Sequence, residues 1–364
     1  MKYTAKKRLS SERLIMTATA SAANQPQASA LSANRSFILR GIVLAVVVGA
    51  FMSLGNVNIG AIGQGLGYAL AGVTVFMTFR VLGFVDLTVD GAFPIGGAAC
   101  AILIVNGHSP EYAMLMGFVA GALTGMATAL IDIIFKIEGL LASIIVITAA
   151  YTVTLHVMEG KSNIPLLGQE TLISRHSKAF RTWLVEQFGD QMRRQSTNLL
   201  EIILFGFIVF IVLAILYWFL RSEIGLAIRA TGKNPQMVRA TGLNHNLMII
   251  IGLMTANGLA GVAGSLVVQQ FGFADVSLGF GLIVRGLAAV IIGEVLLRPR
   301  SVGQLLIAAV TGMLVFDISR AWIFSALDLP TTDIQFVSAL VVLAALGAPR
   351  LYDRWKTYQQ RLGG

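Results

Sequence analysis

Asp86, Thr88 and Asp90 stand together in a chain of which only 12% is charged, between Gly83 on one side and Gly91 and Pro94 on the other. A continuous helix would put the two carboxylates, four residues apart, on one face, where like charges repel. The flanking glycines and proline predict a helix break instead. Irregular backbone at membrane depth is tolerated only where it is buried in protein or lines a water-filled path. Side chains held there can line a route for a polar solute or, equally, cap the helix that begins after the break. Arg285 raises a related question, because it lies inside the apolar run 278–297 beside Gly286. An unneutralised arginine at depth costs about 2.5–3.5 kcal/mol on insertion scales. It is therefore expected to face either a translocation path, where it would read a substrate carboxylate, or a buried acidic partner. Asp132 with Lys136 and Glu294 with Arg298 are spaced for local ion pairs at helix ends.

Other chemistry is missing from the sequence. His108, His156, His176 and His245 are scattered, Cys100 is the only cysteine, and no cluster has metal-ligand spacing. Gly232-Lys233 is followed by Asn234 and lacks the glycine spacing of a phosphate loop. The chain is expected not to be an enzyme and to hold no cofactor or metal.

The segment 221–246, RSEIGLAIRATGKNPQMVRATGLNHN, reads as two short helices. Gly232 is expected to end the first. Asn234 can cap the second, with Pro235 at its first position and Gly242 past its end. The second helix, 235–241, is too short to be stable alone and needs a partner surface. Met237 and Val238 offer that partner an apolar contact; Arg229, Lys233 and Arg239 offer it positive charge.

The elements that must position these residues follow from composition. Of the 364 residues, 56% are hydrophobic, and the mean hydropathy is +0.77. Soluble proteins carry about 25% charged residues, so the charges here are too few to cover a water-exposed surface. The fold class is all-α and polytopic. A span needs about 20 apolar residues, and ten candidates are found at 37–55, 60–80, 90–106, 111–135, 139–158, 199–220, 247–271, 278–297, 301–317 and 334–348. The net charge of +9 is read as basic loops on the cytoplasmic side rather than as affinity for nucleic acid. With ten spans both termini are inside, and the short outer loops hold only Arg320. The resulting plan is a polar cytoplasmic tail at 1–36, a first transmembrane half at 37–158, an outside linker at 159–198, a second half at 199–348 and a cytoplasmic tail at 349–364. Within the linker, Phe180, Trp183, Leu184 and Phe188 share one helical face, which fits a helix on the outer membrane surface or one packed against other loops.

The halves repeat. Gly83-Phe84-Val85-Asp86-Leu87-Thr88 matches Gly272-Phe273-Ala274-Asp275-Val276-Ser277, and Gly97 falls opposite Gly286 at the same offset. Ala122 to Met126 matches Ala309 to Met313. Asp86 is placed inside and Asp275 outside, so the expectation is two inverted five-helix repeats, an architecture of transporters. Asp275 and Ser277 thereby join Asp86, Thr88, Asp90 and Arg285 as candidate path residues. Gly117, Gly121 and Gly125, spaced by four, read as a close helix-packing face.

The stretch Gly225 to Gly242, with RATGKNPQMVRATG, resembles the cytoplasmic coupling loop of ABC importer permeases of the branched-chain amino acid and ribose type. Asp86-Leu87-Thr88-Val89 is similar to their Asp-Leu-Ser-Val element. Asn163-Ile-Pro-Leu-Leu and Gly286 to Glu294 resemble the tryptophan/tyrosine-type subgroup. The resemblance covers roughly residues 60–348. It implies a permease that dimerises with a second copy in a bacterial inner membrane, a separate cytoplasmic ABC ATPase docked at the coupling loop, and a periplasmic solute-binding protein. Arg229, Gly232, Lys233, Asn234, Pro235, Met237, Val238, Arg239 and Gly242 would then form the ATPase contact. Two features depart from the pattern, the long N-terminal tail and Arg285 itself. The expected function is import of an amino acid or similar small solute. An ion-coupled secondary transporter would leave 221–246 without a purpose, and a membrane scaffold or receptor would leave the repeat unexplained.

Overall fold

The computed structural model describes residues 59–327 without interruption, together with 34, 36–49, 53, 330, 333, 336–344 and 347. The tails at 1–33 and 348–364, and part of the tenth candidate span, lie outside the described residues.

The chain is an all-α polytopic membrane protein. Its helices are α1 (Ser36–Gly49), α2 (Gly60–Phe76), α3 (Val89–Val105), α4 (Pro110–Phe135), α5 (Gly139–Val157), α6 (Leu172–Phe188), α7 (Ser196–Arg221), α8 (Glu223–Lys233), α9 (Pro235–Ala240), α10 (His245–Phe271), α11 (Leu282–Leu297) and α12 (Val302–Leu327), with a last helical stretch at 336–344. A π-helical turn, Met77–Leu82, extends α2 as far as Gly83. Among the described residues, six helices are long and apolar enough to cross a bilayer: α2 with its extension, α4, α5, α7, α10 and α12. The helices α1 and α3 are apolar but shorter.

Small residues decide which helices are central. The sequence of α2, GAIGQGLGYALAGVTVF, is nearly half Gly and Ala, and almost all of it is buried. Its counterpart at the core is α10, which packs against α4 and α3, while α2 packs against α12 and α11. Gly117, Gly121 and Gly125 of α4 form the close face expected of them. A Cβ at Gly121 would collide with the carbonyl oxygen of Asn257, and one at Gly125 with that of Leu253. Lipid gives apolar side chains no reason to prefer protein, so close backbone approach supplies the attraction. By contrast α7 is apolar all round, with Ile203, Phe207, Phe210, Ile215 and Trp218 exposed, as a helix bordering hydrocarbon can be.

The two ends of the bundle differ. At the His245 end of α10, Ile228 of α8 and Leu82 both lie against Gly252. At the Phe271 end, β1 (Asn163–Pro165) pairs antiparallel with β2 (Phe273–Asp275), Ile164 opposite Ala274. Next to this pair, α6 begins in a capping box between Thr171 and Ser174. It packs on α7 and is fastened at its start by Leu172 N–H to Gln269 (2.9 Å), with an exposed ion pair from Arg175 to Glu111 (2.8 Å) beside it. Its apolar stripe is split, with Leu184 buried and Trp183 and Phe188 exposed.

Several expectations are corrected. The ninth span runs on through Asp317 and Arg320 to Leu327, so Arg320 is not in an outer loop. Glu294 pairs with Arg80 across helices rather than with Arg298. Among the described residues no ion pair joins Asp132 to Lys136, and both Lys136 and Arg298 occupy left-handed C-cap positions, with φ of 54° and 48°. Gly232 does not end α8, which runs on to Lys233.

Candidate functional site

The break after the π-helical turn is where the polar side chains converge. Gly83 adopts φ 65°, ψ 23°, a left-handed conformation that suits glycine. The chain then turns back into the bundle. Asp86 is fully buried. Its Oδ1 accepts the Thr88 N–H (2.9 Å) and its Oδ2 accepts the Asn257 side-chain amide (2.7 Å). The Thr88 hydroxyl is 2.7 Å from that of Thr128 on α4. The Oδ1 of Asn257 is buried without a partner. Asn257 lies about 18 Å from the start of α10, given a rise of 1.5 Å per residue. The break therefore sits near mid-depth, and α3 starts there.

Asp90 points away from this group. Its carboxylate accepts the backbone N–H of Gly281 (3.2 Å) and Ile283 (2.8 Å), capping the start of α11 from the first turn of α3. Gly279 is pressed onto the Asp90 carbonyl and lies against the ring of Pro94. The starts of two helices, α3 and α11, thus meet at one place inside the bundle.

Arg285, one turn into α11, has the buried acidic partner anticipated for it. Its Nη2 donates to Asp317 Oδ1 at 2.8 Å. Arg320, three residues beyond Asp317, reaches the same oxygen at 3.2 Å. The guanidinium of Arg285 lies 4.1 Å over the ring of Tyr68, and Tyr68 stacks on Phe93 of α3 with centroids 5.5 Å apart.

Asp275 and Ser277 are not brought to this region. They lie at the β1–β2 end, where Asp275 accepts from the Ser277 N–H (2.8 Å), the Ser277 hydroxyl (2.5 Å) and Asn163 (3.4 Å). Burial raises the Asp275 carboxyl, but these donors outweigh it and hold it below its ordinary value.

The segment 221–246 folds as two helices, with Ser222 capping α8 and Asn234 Oδ1 accepting the Met237 N–H (3.0 Å) at the start of α9. Gly242 follows at φ 80°. Gly232 packs on the backbone of Val81 and Leu82, and its carbonyl faces Gly83. Successive residues of α9 are turned about 100° apart around the helix, and Val238 is buried while Met237 is half exposed. Of these two, Met237 alone is presented outward as an apolar contact, which corrects the expectation for Val238. Lys233, Asn234, Pro235 and Arg239 are exposed. Arg229 and Lys233 line a cavity of about 300 Å³ with Arg80 and Glu294, and Arg239 lines another of about 780 Å³ with Asp132, Lys136 and His245.

Sequence reasoning missed Asn257, Thr128, Tyr68 and Asp317. The spacing of Asp317 and Arg320 at i, i+3 was the available signal for the last. No group of His, Cys, Asp and Glu among the described residues could hold a metal ion.

Comparison with known proteins bears on what this arrangement serves. A family model described as the permease component of branched-chain amino acid transport systems matches residues 57–346. The tyrosine transport system permease protein of Clostridioides difficile is 31% identical over 288 residues, covering 79% of this chain and 90% of that protein. An uncharacterized protein of Rickettsia prowazekii is 32% identical over 66% of this chain and 77% of its own length. The galactofuranose transporter permease protein of Escherichia coli is 25% identical over 72% of this chain and 71% of its own length. No solved structure matches significantly. The chain belongs to the permease family of branched-chain amino acid transport systems.

Proposed function

We propose that this permease imports an amino acid, with tyrosine or a related aromatic amino acid the first candidate, and that ATP hydrolysis on a separate subunit drives it. The relative named for tyrosine transport supports the solute. One observation carries the coupling. The segment α8–α9 is wedged beneath the π-helical end of α2, with Gly232 backbone-to-backbone against Val81, Leu82 and Gly83. A subunit docked on Met237, Lys233 and Arg239 would push through α8 onto Gly83, three residues before Asp86.

The inverted repeat is part of this reading. Gly83 and Gly272 share left-handed geometry, and Asp86–Thr88 and Asp275–Ser277 form the same turn. Asp90 touches Gly279, its own counterpart at that offset. In the matching stretches α2–α4 and α10–α12, the first helix of each packs on the second and third of the other, α2 on α11 and α12 and α10 on α3 and α4. The β1–β2 end lies a helix length from α8, which supports inversion. The α8–α9 end is assigned to the cytoplasm and the β1–β2 end to the outside, in a bacterial inner membrane. A second copy and a periplasmic binding protein complete the assembly, with α1, α5, α7 and the helix at 336–344 filling out the ten spans.

Affinity purification from membranes tests the coupling, and labelled L-tyrosine uptake tests the solute. Recovery of an ABC ATPase that is lost with Met237→Asp is the expected result. Recovery of no ATPase, with uptake insensitive to ATP depletion, would overturn it.

A further inference from the structure

The cluster on α2, α11 and α12 contains two cations and one anion beside Gln64 and Tyr68, in the Gly60 half of α2. Both arginines, Arg285 at 2.8 Å and Arg320 at 3.2 Å, converge on the same oxygen of Asp317. The other oxygen, Oδ2, is buried with no partner, and so is Nε of Arg285. One cluster thus holds a bare donor and a bare acceptor and carries one more cation than anion. Buried polar groups are almost always paired. A purely structural ion cluster saves most energy by neutrality and full pairing, and this one has neither. Arg285 is clamped over Tyr68 and Arg320 reaches Gln64 at 3.4 Å, so the guanidinium groups are held in place. The side chains of Arg285 and Arg320 keep 12% and 13% of their surface exposed. Arg285 is one turn past the start of α11, whose dipole adds positive potential there.

We propose that this cluster binds the head group of the transported α-amino acid. The carboxylate is taken by the spare positive charge and Arg285 Nε–H, and the ammonium by Asp317 Oδ2. This assignment rests on the amino acid reading above.

The test uses the intact transporter in its own cells, with L-tyrosine as the probe and each variant's membrane level and ATPase recovery measured alongside uptake. The triple variant Arg285→Met/Asp317→Leu/Arg320→Gln removes all three charges together, a change that usually leaves folding intact because no charge is stranded. Its uptake is expected to fall at least about tenfold, the worth of one charge-assisted hydrogen bond, with normal membrane level and ATPase recovery. Arg285→Lys is expected to raise KM while keeping part of the uptake. In competition with the wild type, tyramine, which lacks the carboxylate, and 3-(4-hydroxyphenyl)propionate, which lacks the ammonium, should each be about tenfold weaker than L-tyrosine. Wild-type uptake by the triple variant would overturn the assignment. So would loss of every variant from the membrane, since the cluster would then be structural only. Failure of the wild type to take up L-tyrosine or another amino acid would instead remove the reading on which the assignment depends.

Discussion

Gly232→Ala separates a docked coupling helix from a loose one by the sign of a single stability change. In an exposed helix interior, replacing glycine by alanine stabilises by about 0.5–1 kcal/mol. At Gly232 the new Cβ would collide with the carbonyl oxygen of Val81 and come within 2.6 Å of the carbonyl carbon of Leu82. These are backbone atoms and cannot swing aside as a long side chain could. Overpacking of this kind costs about 1–3 kcal/mol. The balance is a net destabilisation of about 0–2.5 kcal/mol, the difference of those ranges, unless α8 backs away from α2 and breaks the contact. Both outcomes predict a transporter that inserts, with an unchanged or lower melting temperature and impaired ATP-driven uptake. Gly242→Ala is the control, because no atom lies within 4 Å of its Cβ. It feels only the cost of left-handed backbone, about 1–2 kcal/mol, at the end of α9. A Gly232→Ala protein that melts higher and transports normally would refute the contact between α8 and α2.

Met237→Asp is expected to abolish ATPase recovery while the permease still folds, since Met237 is half exposed; Val238→Asp, at a fully buried neighbour, should instead lower the yield of folded protein, as burying an unpaired charge does. Asp90→Ala removes the cap on α11 and should cost about 1–2 kcal/mol, read as a lower melting temperature, with Asp90→Asn recovering part of it. Arg175→Gln should leave melting temperature and uptake unchanged, because exposed ion pairs contribute little; a clear loss would mean that Arg175 also holds α6 in a working position.

The helices were legible because apolar runs of span length have few other uses, and α9 was legible because Asn234-Pro235 and Gly242 are chemical stop and start marks. The partners of the charges were harder to read. Arg320 lies beyond the apolar run 301–317 and so reads as a loop residue, yet the helix continues to Leu327 with Asp317 paired to Arg320 inside it. Glu294 was matched to Arg298 by spacing, but Arg298 occupies a left-handed cap and Arg80 from α2 pairs with Glu294 instead. Gly232 carries no local sign that distinguishes a helix terminator from a close-packing residue. The difference lies in Val81 and Leu82, some 150 residues earlier in the chain. For Asp86 and Asp90 the sequence leaves a cap on the third span and a path lining equally open; in the structure Asp90 caps α11, a helix of the other half, rather than the third span, and Asp86 is bonded to Asn257.

The position of Asp90 bears on how a push at α8 can reach both halves of the molecule. In the coupling proposed above, force would pass from Gly232 to Gly83, and the chain from Gly83 to the start of α3 is short and held at Asp86 by two hydrogen bonds. Little of the displacement can be absorbed on the way. At the start of α3, Asp90 grips the backbone of Gly281 and Ile283 while Gly279 bears on Asp90 and Pro94. A movement of α3 therefore carries the start of α11 with it, although α8 makes its contact beneath α2 alone. An effector can bias only what differs between two states, and here one contact beneath α2 biases two half-length helices together. Arg285, one turn along α11, would move with them under the proposed coupling, and the charge cluster with it.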